Sequence, residues 1–459
     1  MEEFKISKEK MTKIKDGVLF VLLFLWMIMP ILQSIKIVYK LISISKIYFS
    51  LMNIIGIVGI GISVFEIYTR IKNAENKKQV IKELLPIFIF VLYMIWTLIP
   101  CILSPHQRTV YQGTVYRKEG YYMYLNYAGF FLCAFLLKSE KLRKILLNTF
   151  VISSIFLITV SRLPLINEKL GEIFVKNTIS RSIFAQFNHY CYFLMMSLMC
   201  SFGLCIKEKN NILKVLYLIA FIIIGYAMIY NNTFGCYLAV STVLIIYGIY
   251  SLIKKENRKN ILILITIFIL LSCFTTKNGI NVAYKNIKDF TSDISIIITK
   301  VTGIQFKGDQ KENKEENKEK NNTISDKQLD KVGTSRMLLW KAGIKFISKE
   351  PVFGYGPDNL GKEYILEGIN GQDRPHNLII YLACVSGIPG MLIYMTAVGM
   401  IVIKGVKKII QKNKEVGVFL IIVVTYLISS MFGNSMYYTS PYFFIFLGSL
   451  MKLSLEQKE

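Results

Sequence analysis

Long apolar segments dominate this sequence and constrain its fold more than any other feature. About twelve segments approach the roughly 20 apolar residues that a helix needs to cross a bilayer. They cover residues 17–35, 47–68, 84–103, 122–138, 145–161, 190–206, 213–230, 236–253, 260–275, 378–403, 416–432 and 437–453. Hydrophobic residues make up 53% of the chain, and its mean hydropathy is +0.45. We therefore predict an all-α, polytopic transmembrane bundle, and we exclude a soluble single domain, a disordered chain and a disulfide scaffold.

The basic residues follow the positive-inside rule. Lys and Arg number 55 against 30 Asp and Glu, a formal net charge of +25. They crowd into alternate short loops, whereas the intervening loops 231–235 and 433–436 carry none. This alternation predicts a protein of the cytoplasmic membrane with both termini in the cytoplasm and residues 276–375 outside the cell. Nucleic-acid binding is not expected, because no basic patch recurs on one helix face.

One long loop divides the chain into three parts. Residues 1–275 are predicted to form an N-terminal membrane bundle of about nine spans, and residues 376–459 the C-terminal spans. Between them, 276–375 form an extracytoplasmic loop with short amphipathic helices. Within that loop, residues 306–332 are of low complexity and balanced charge, which predicts disorder. Residues 333–375 combine aromatic residues, Gly and Pro in a specific order and are expected to fold.

Cysteine and histidine usage argues against a metal centre. The eight cysteines lie in or beside apolar segments without paired spacing, and only three histidines occur. A buried free cysteine behaves as a small hydrophobic residue, and three histidines are too few for a His-rich site. A glycine-rich nucleotide loop is also missing, so ATP is not an expected driver. We expect neither a metal nor a cofactor.

Residues 334–347 predict an amphipathic helix on the outer membrane surface. Its apolar face comprises Met337, Trp340, Ile344 and Ile347. Trp340 suits the depth of the lipid headgroups. Arg336 projects with this apolar face, where a guanidinium needs an anionic partner. Arg336 is therefore either a structural arginine paired with a carboxylate or a clamp for phosphate.

His376 is the histidine of most chemical interest. Pro375 before it suits the first position of a helix, and Gly387 suits the end of that helix. The sequence thus predicts His376 in the first helical turn, at the outer face of the membrane. There the helix dipole disfavours the imidazolium and leaves the ring able to accept a proton. The alternative is a capping or structural histidine.

Two further arginines stand at the predicted outer interface. Arg117 precedes the fourth span and Arg181 precedes the sixth. A single interfacial arginine is usually an anchor. Together with Arg336, on the same side of the membrane, they favour a shared anionic site. The other two histidines, His106 and His189, are expected to be structural.

The ordered motifs between residues 335 and 390 resemble the signature of the O-antigen ligase/O-antigen polymerase family, which are polytopic bacterial glycosyltransferases of the GT-C type. The matching residues are Ser335-Arg336, Trp340, Pro351-x-Phe353-Gly354-Tyr355-Gly356-Pro357, His376-Asn377-Leu378 and Gly387-Ile388-Pro389-Gly390. The resemblance implies transfer of a glycan from an undecaprenyl-diphosphate carrier to an acceptor hydroxyl outside the cytoplasmic membrane, without a metal or a nucleotide. Polymerases and ligases share this signature, so both activities stay open.

The resemblance also implies roles for individual residues. His376 would be the base for the acceptor and Arg336 would bind the lipid diphosphate. The motif would be supported by Asn377, Trp340, Gly354 and Gly356. Many members carry a Ser-Arg pair at the outer end of a middle span, where this chain has Asn231-Asn232-Thr233. Arg181 or Arg117 is expected to supply that missing contact.

Two functions other than a glycosyltransferase remain as alternatives. A transporter or flippase for the same lipid-linked sugar should show charged or broken helices at mid-membrane, and these spans are nearly free of internal charge. A non-catalytic assembly or sensor protein would tolerate the combined loss of Arg336 and His376.

Overall fold

α-Helices make up the fold that the computed structural model describes, over residues 2–41, 44–174, 179–275, 332–411, 413–434 and 436–456. Before the long loop the helices are α1 (Glu2–Ser34), α2 (Lys36–Leu41), α3 (Ile44–Lys72), α4 (Lys77–Leu103), α5 (Gln107–Gln112), α6 (Tyr121–Leu136), α7 (Glu140–Ile166), α8 (Glu168–Gly171), α9 (Phe187–Lys207), α10 (Asn211–Asn231), α11 (Phe234–Lys254) and α12 (Arg258–Phe274). After it they are α13 (Val332–Lys349), α14 (Gly361–Leu366), α15 (Leu378–Ile410), α16 (Lys414–Ser429) with a 3-10 turn (Ser430–Phe432), and α17 (Ser440–Leu455).

The predicted apolar segments coincide with these helices. Within the described ranges, nine helices are long and apolar enough to cross a membrane, and α17 is a shorter apolar helix. Helices α6 and α12, of 16 and 17 residues, cover two further predicted segments. The all-α membrane bundle is confirmed, while about twelve spans stays a prediction. The low-complexity segment 306–331 lies outside the described residues.

Polar residues begin several helices where a loop gives way to an apolar run. The side chains of Ser139 and Asn413 accept hydrogen bonds from backbone N–H groups in the first turns of α7 and α16. Such N-caps satisfy donors that have no partner inside the helix. The sequence therefore sets the helix boundaries with local polar side chains and the helix lengths with the apolar runs.

Helix α9 lies at the centre of the bundle. Its apolar 18-residue window is fully buried, whereas α10 and α11 bury 39% and 33% of theirs. It packs against α7, α10 and α16, while α17 packs against α6 and α15 against α4. The helices that follow the long loop thus lie within the bundle formed by those that precede it. The exposed apolar faces of the outer helices suit contact with lipid.

Ion pairs join the loops at the two ends of the bundle. At one end, Arg143 near the start of α7 pairs with Glu415 at 3.0 Å, and Lys207 pairs with Glu140 at 2.9 Å. At the opposite end of α6, Arg117 pairs with Asp373 just before α15. The loops predicted to be cytoplasmic therefore meet at one end, and those predicted to be outside meet at the other.

α15 is broken at Gly387, the residue at which the sequence predicted a helix end, and a second helical stretch follows directly. The Gly387 φ of +69° breaks the helical path, but the chain continues as a helix to Ile410. Loop 351–357 docks on the break through backbone hydrogen bonds. Tyr355 N donates to Cys384 O (2.9 Å), Gly356 N to Val385 O (3.0 Å) and Ile388 N to Pro351 O (2.8 Å). These bonds satisfy backbone N–H and carbonyl groups that lose their helical partners at the break, so a second helical stretch can follow directly.

Replacing Gly387 with Ala is expected to destabilise the protein by about 2–4 kcal/mol. A Cβ here would lie 1.9 Å from the Val352 carbonyl oxygen, and φ is positive. The measurement is thermal unfolding of the purified protein, followed by tryptophan fluorescence. Gly399→Ala, in the same helix with nothing within 4 Å of an added Cβ, should leave the transition unchanged. Equal transitions for the two variants would contradict the docking described above.

Candidate active site

His376 lies in the turn that leads into α15. Asn377 is the N-cap of that helix: its Oδ1 accepts from Ile380 N, and its Nδ2 donates to Met431 O at 3.2 Å. His376 itself has a φ of +54°. This corrects the prediction that Pro375 begins the helix and that His376 stands in its first turn. Asn is among the strongest capping residues, so the helix begins after Asn377. The residue before the cap, His376, adopts the left-handed conformation.

Burial and neighbouring charges keep the His376 ring neutral. The half-buried position lowers its pKa to about 4, and the charges of Arg336 and Arg117 act in the same direction. Asp373 opposes them, and Arg374 adds a smaller lowering. From the sequence, the helix dipole was expected to keep this ring neutral, whereas in the structure desolvation and cationic neighbours lower its pKa. A neutral imidazole surrounded by guanidinium groups can accept a proton beside an anion.

Arg117 is engaged by a carboxylate. Its Nε and Nη2 donate to the two oxygens of Asp373, both at 2.7 Å, and its Nη1 lies 3.4 Å from the sulfur of Met436. Its guanidinium also lies over the Tyr116 ring, 5.2 Å from the centroid. Burial alone would raise the pKa of Asp373, but the hydrogen bonds and charge of Arg117 lower it. This bidentate pair fixes the segment just before His376.

A second arginine, Arg374, forms a buried charge network beneath this segment. Its Nη1 donates to Glu119 at 2.8 Å and its Nη2 to Asp358 at 2.9 Å. Tyr127 donates its hydroxyl to Glu119, and Asp358 accepts from the backbone and side chain of Thr114. The network connects the loop before α6, the motif loop before α14 and the histidine turn. The sequence does not reveal this network, although Asp358 and Arg374 directly adjoin the motifs.

The guanidinium of Arg336 approaches the site from α13. Its charge acts on His376 and also on Cys236 and Tyr192, which lie at the starts of α11 and α9. Helix α13 packs on α15 through Leu339, Ala342 and Phe346, a different face from the one predicted. On the predicted apolar face, Met337 and Trp340 are half-buried and Ile344 is 59% exposed, so this face remains open to lipid.

Arg181 lies beside the Asn231–Thr233 turn. The Asn231 side chain donates to the backbone oxygen of Ser180 at 2.7 Å, which ties the Arg181 loop to the end of α10. Arg181 is exposed. Thus the structure brings Arg336, Arg117 and His376 within electrostatic reach of one another, and it places Arg181 next to the Asn231–Thr233 turn.

The two motif glycines allow the backbone of their loop to approach neighbouring residues closely. Gly354 and Gly356 have φ of +72° and +81°, and a Cβ on Gly354 would lie 2.5 Å from the Cys384 carbonyl oxygen. Both belong to the loop that docks on the kink of α15. The glycines therefore let loop 351–357 hold the helix that follows His376, which explains why these motifs occur together.

Residues 219–395 match the protein-family model described as O-antigen ligase. This region contains Arg336, the glycine loop and His376, and it ends within α15. Arg117 and Arg181 precede it. No curated protein matches the chain.

Proposed function

We propose that the chain is a membrane glycosyltransferase of the O-antigen ligase and polymerase type, because residues 219–395 match the O-antigen ligase family model, and that it transfers a glycan from undecaprenyl diphosphate to an acceptor hydroxyl outside the cytoplasmic membrane. One observation carries this proposal: a neutral His376 imidazole stands within reach of the charges of Arg336 and Arg117, at the entrance to α15. A transferase that displaces a diphosphate needs both of these elements, a proton acceptor and fixed positive charge.

In the proposed reaction the acceptor hydroxyl attacks the anomeric carbon of the carrier-linked sugar. The new C–O bond forms as the bond between that carbon and the diphosphate oxygen breaks. The hydroxyl proton passes to a His376 ring nitrogen, and undecaprenyl diphosphate departs with the bonding electron pair. A base within hydrogen-bond reach contributes to such a step, and preorganised positive charge stabilises the developing diphosphate anion.

We assign the diphosphate to Arg336, with Arg181 as the further cation. Arg336 lies on α13, and its positive charge acts on the His376 ring. Arg181 adjoins the Asn231–Thr233 turn, where the resembling family carries a Ser-Arg pair. The expectation that Arg117 binds the diphosphate directly is revised. Its Nε and Nη2 already hold Asp373, so it would have to release that carboxylate first. Its proposed role is to fix the histidine turn.

The transfer is tested by reconstituting the purified protein in vesicles with the lipid-linked glycan of its host. A transferase releases undecaprenyl diphosphate and extends or attaches the glycan, both of which chromatography measures. A flippase would move the intact lipid between leaflets without releasing the diphosphate. Movement without release would therefore contradict the proposal.

We also predict a specific pH dependence. The free protein should keep kcat/KM constant down to about pH 4–5, because the pKa of His376 is lowered to about 4 and the neutral ring is the base. A bound diphosphate adds negative charge beside the ring, so the acid limb of kcat should lie at higher pH. Arg336→Met should shift the kcat/KM limb upward as well, because it removes a positive charge. A limb near pH 6.5 in the unaltered protein would contradict the assignment.

For the orientation, we propose that both termini are cytoplasmic and that residues 276–375 are outside. A membrane-impermeant maleimide added to intact cells should label Lys362→Cys, an exposed position in α14, but not Glu75→Cys, an exposed position in the loop between α3 and α4. The unaltered protein provides the background from its native cysteines, and permeabilised cells should label both variants. The reverse pattern would invert the proposed topology.

A further inference from the structure

His189 stands in the first turn of the central helix α9, and packing does not account for its side chain. It is 2% exposed, and neither ring nitrogen has a hydrogen-bond partner among the described residues. Leaving a buried polar atom unpaired costs about 1–3 kcal/mol. An apolar side chain of similar size would fill the same space without that cost. The structural role expected for His189 from the sequence does not account for these unpaired nitrogens.

The surroundings of His189 connect it to the site already described. The charges of Arg117 and Arg374 act on its ring, and the neutral His376 ring is a further neighbour. The half-buried Tyr438 ring lies beside it, with 6.0 Å between the ring centroids. His189 thus borders the same group of charges as His376, from the α9 side.

We infer that His189 binds hydroxyl groups of the saccharide, an inference that rests on the proposed function. A neutral imidazole carries one donor and one acceptor. Sugar hydroxyls donate and accept, so they can satisfy both nitrogens, whereas diphosphate oxygens only accept and would leave one nitrogen unpaired. The face of Tyr438 offers an apolar surface beside these hydroxyls. Because the ring is buried, the inference requires the half-buried Tyr438 beside it to move aside before the saccharide reaches it.

Binding to the purified full-length protein tests this inference. The two probes are undecaprenyl diphosphate without sugar and the lipid-linked glycan of the host, each measured by ligand-induced thermal stabilisation. His189→Phe removes both polar atoms, and His189→Gln keeps a donor and an acceptor. His106→Phe is the control, since His106 lies outside the site, beside Lys362.

We expect His189→Phe to weaken binding of the lipid-linked glycan at least tenfold, or to raise KM for the acceptor by that factor if the bound sugar is the acceptor's. Binding of undecaprenyl diphosphate should stay within twofold of the unaltered protein, and His189→Gln should keep most of the glycan affinity. Unchanged glycan affinity and acceptor KM in His189→Phe would overturn the inference.

The remaining outcomes are also decisive. Equal losses of both probes in His189→Phe would assign the residue to the diphosphate and not to the saccharide. Failure of His189→Phe to fold would point to a packing role and likewise contradict the inference. If neither probe stabilises the unaltered protein, the proposed function itself fails. That result is distinct from a protein that binds both probes regardless of residue 189.

Discussion

Replacing His376 with Asn should lower glycan transfer by a factor of about 10²–10⁴, the usual contribution of a general base. Asn tolerates the left-handed conformation that residue 376 adopts, at φ +54°, so the turn before α15 should persist. The amide cannot accept the hydroxyl proton as an imidazole does. The expected result is loss of polymer or conjugate with a normal amount of protein in the membrane.

This experiment has two readouts and a matched control. Cells lacking the native gene and supplied with His376→Asn are scored for glycan length and amount, and the purified variant for release of undecaprenyl diphosphate. His106→Asn changes the histidine that lies beside Lys362 and should behave like the unaltered protein. Binding of undecaprenyl diphosphate should survive in His376→Asn, because Arg336 remains. Normal glycan from His376→Asn would remove this residue from the chemistry.

The architecture was predictable because a bilayer imposes one length on every span. The apolar segments found in the sequence overlap the described helices, and the apolar window of α9 is the one that is buried all round. Nothing in the α9 sequence alone indicates that it is central, since its hydropathy is the lowest of the candidate spans. Its position follows from contacts with α7, α10 and α16, which one sequence does not reveal.

The site was predictable in its motifs but not in its ion pairs. His376, Arg336 and the two motif glycines stand in short ordered patterns, whereas Arg374 and Glu119 meet across 255 positions of the chain. Pairing at that separation depends on how α6 and α15 pack. The turn at His376 was mispredicted for a local reason: Pro375 and Asn377 both favour a helix start, and the side-chain cap of Asn377 prevailed.

We expect Arg374→Met to lower the free energy of unfolding by about 3–5 kcal/mol, because it removes the cation of the buried charge network. The side chains of Arg374, Glu119 and Asp358 are exposed by only 1%, 0% and 2%. Removing the cation leaves two carboxylates buried without their partner, and that desolvation cost is not recovered elsewhere. The variant should accumulate poorly and unfold at a lower temperature, as fluorescence-detected size exclusion after heating measures.

Two comparisons separate the network from a general effect of losing a basic residue. Lys345→Met removes a cation that pairs with Glu367 at 2.6 Å on the surface, where the Lys345 side chain is 56% exposed, and it should change stability little. Adding Glu119→Gln and Asp358→Asn to Arg374→Met neutralises the stranded carboxylates and should restore part of the lost stability. If the triple variant is no more stable than Arg374→Met, the charges are not what the network contributes. Recovery of stability without recovery of transfer would show that the network also positions the turn carrying His376.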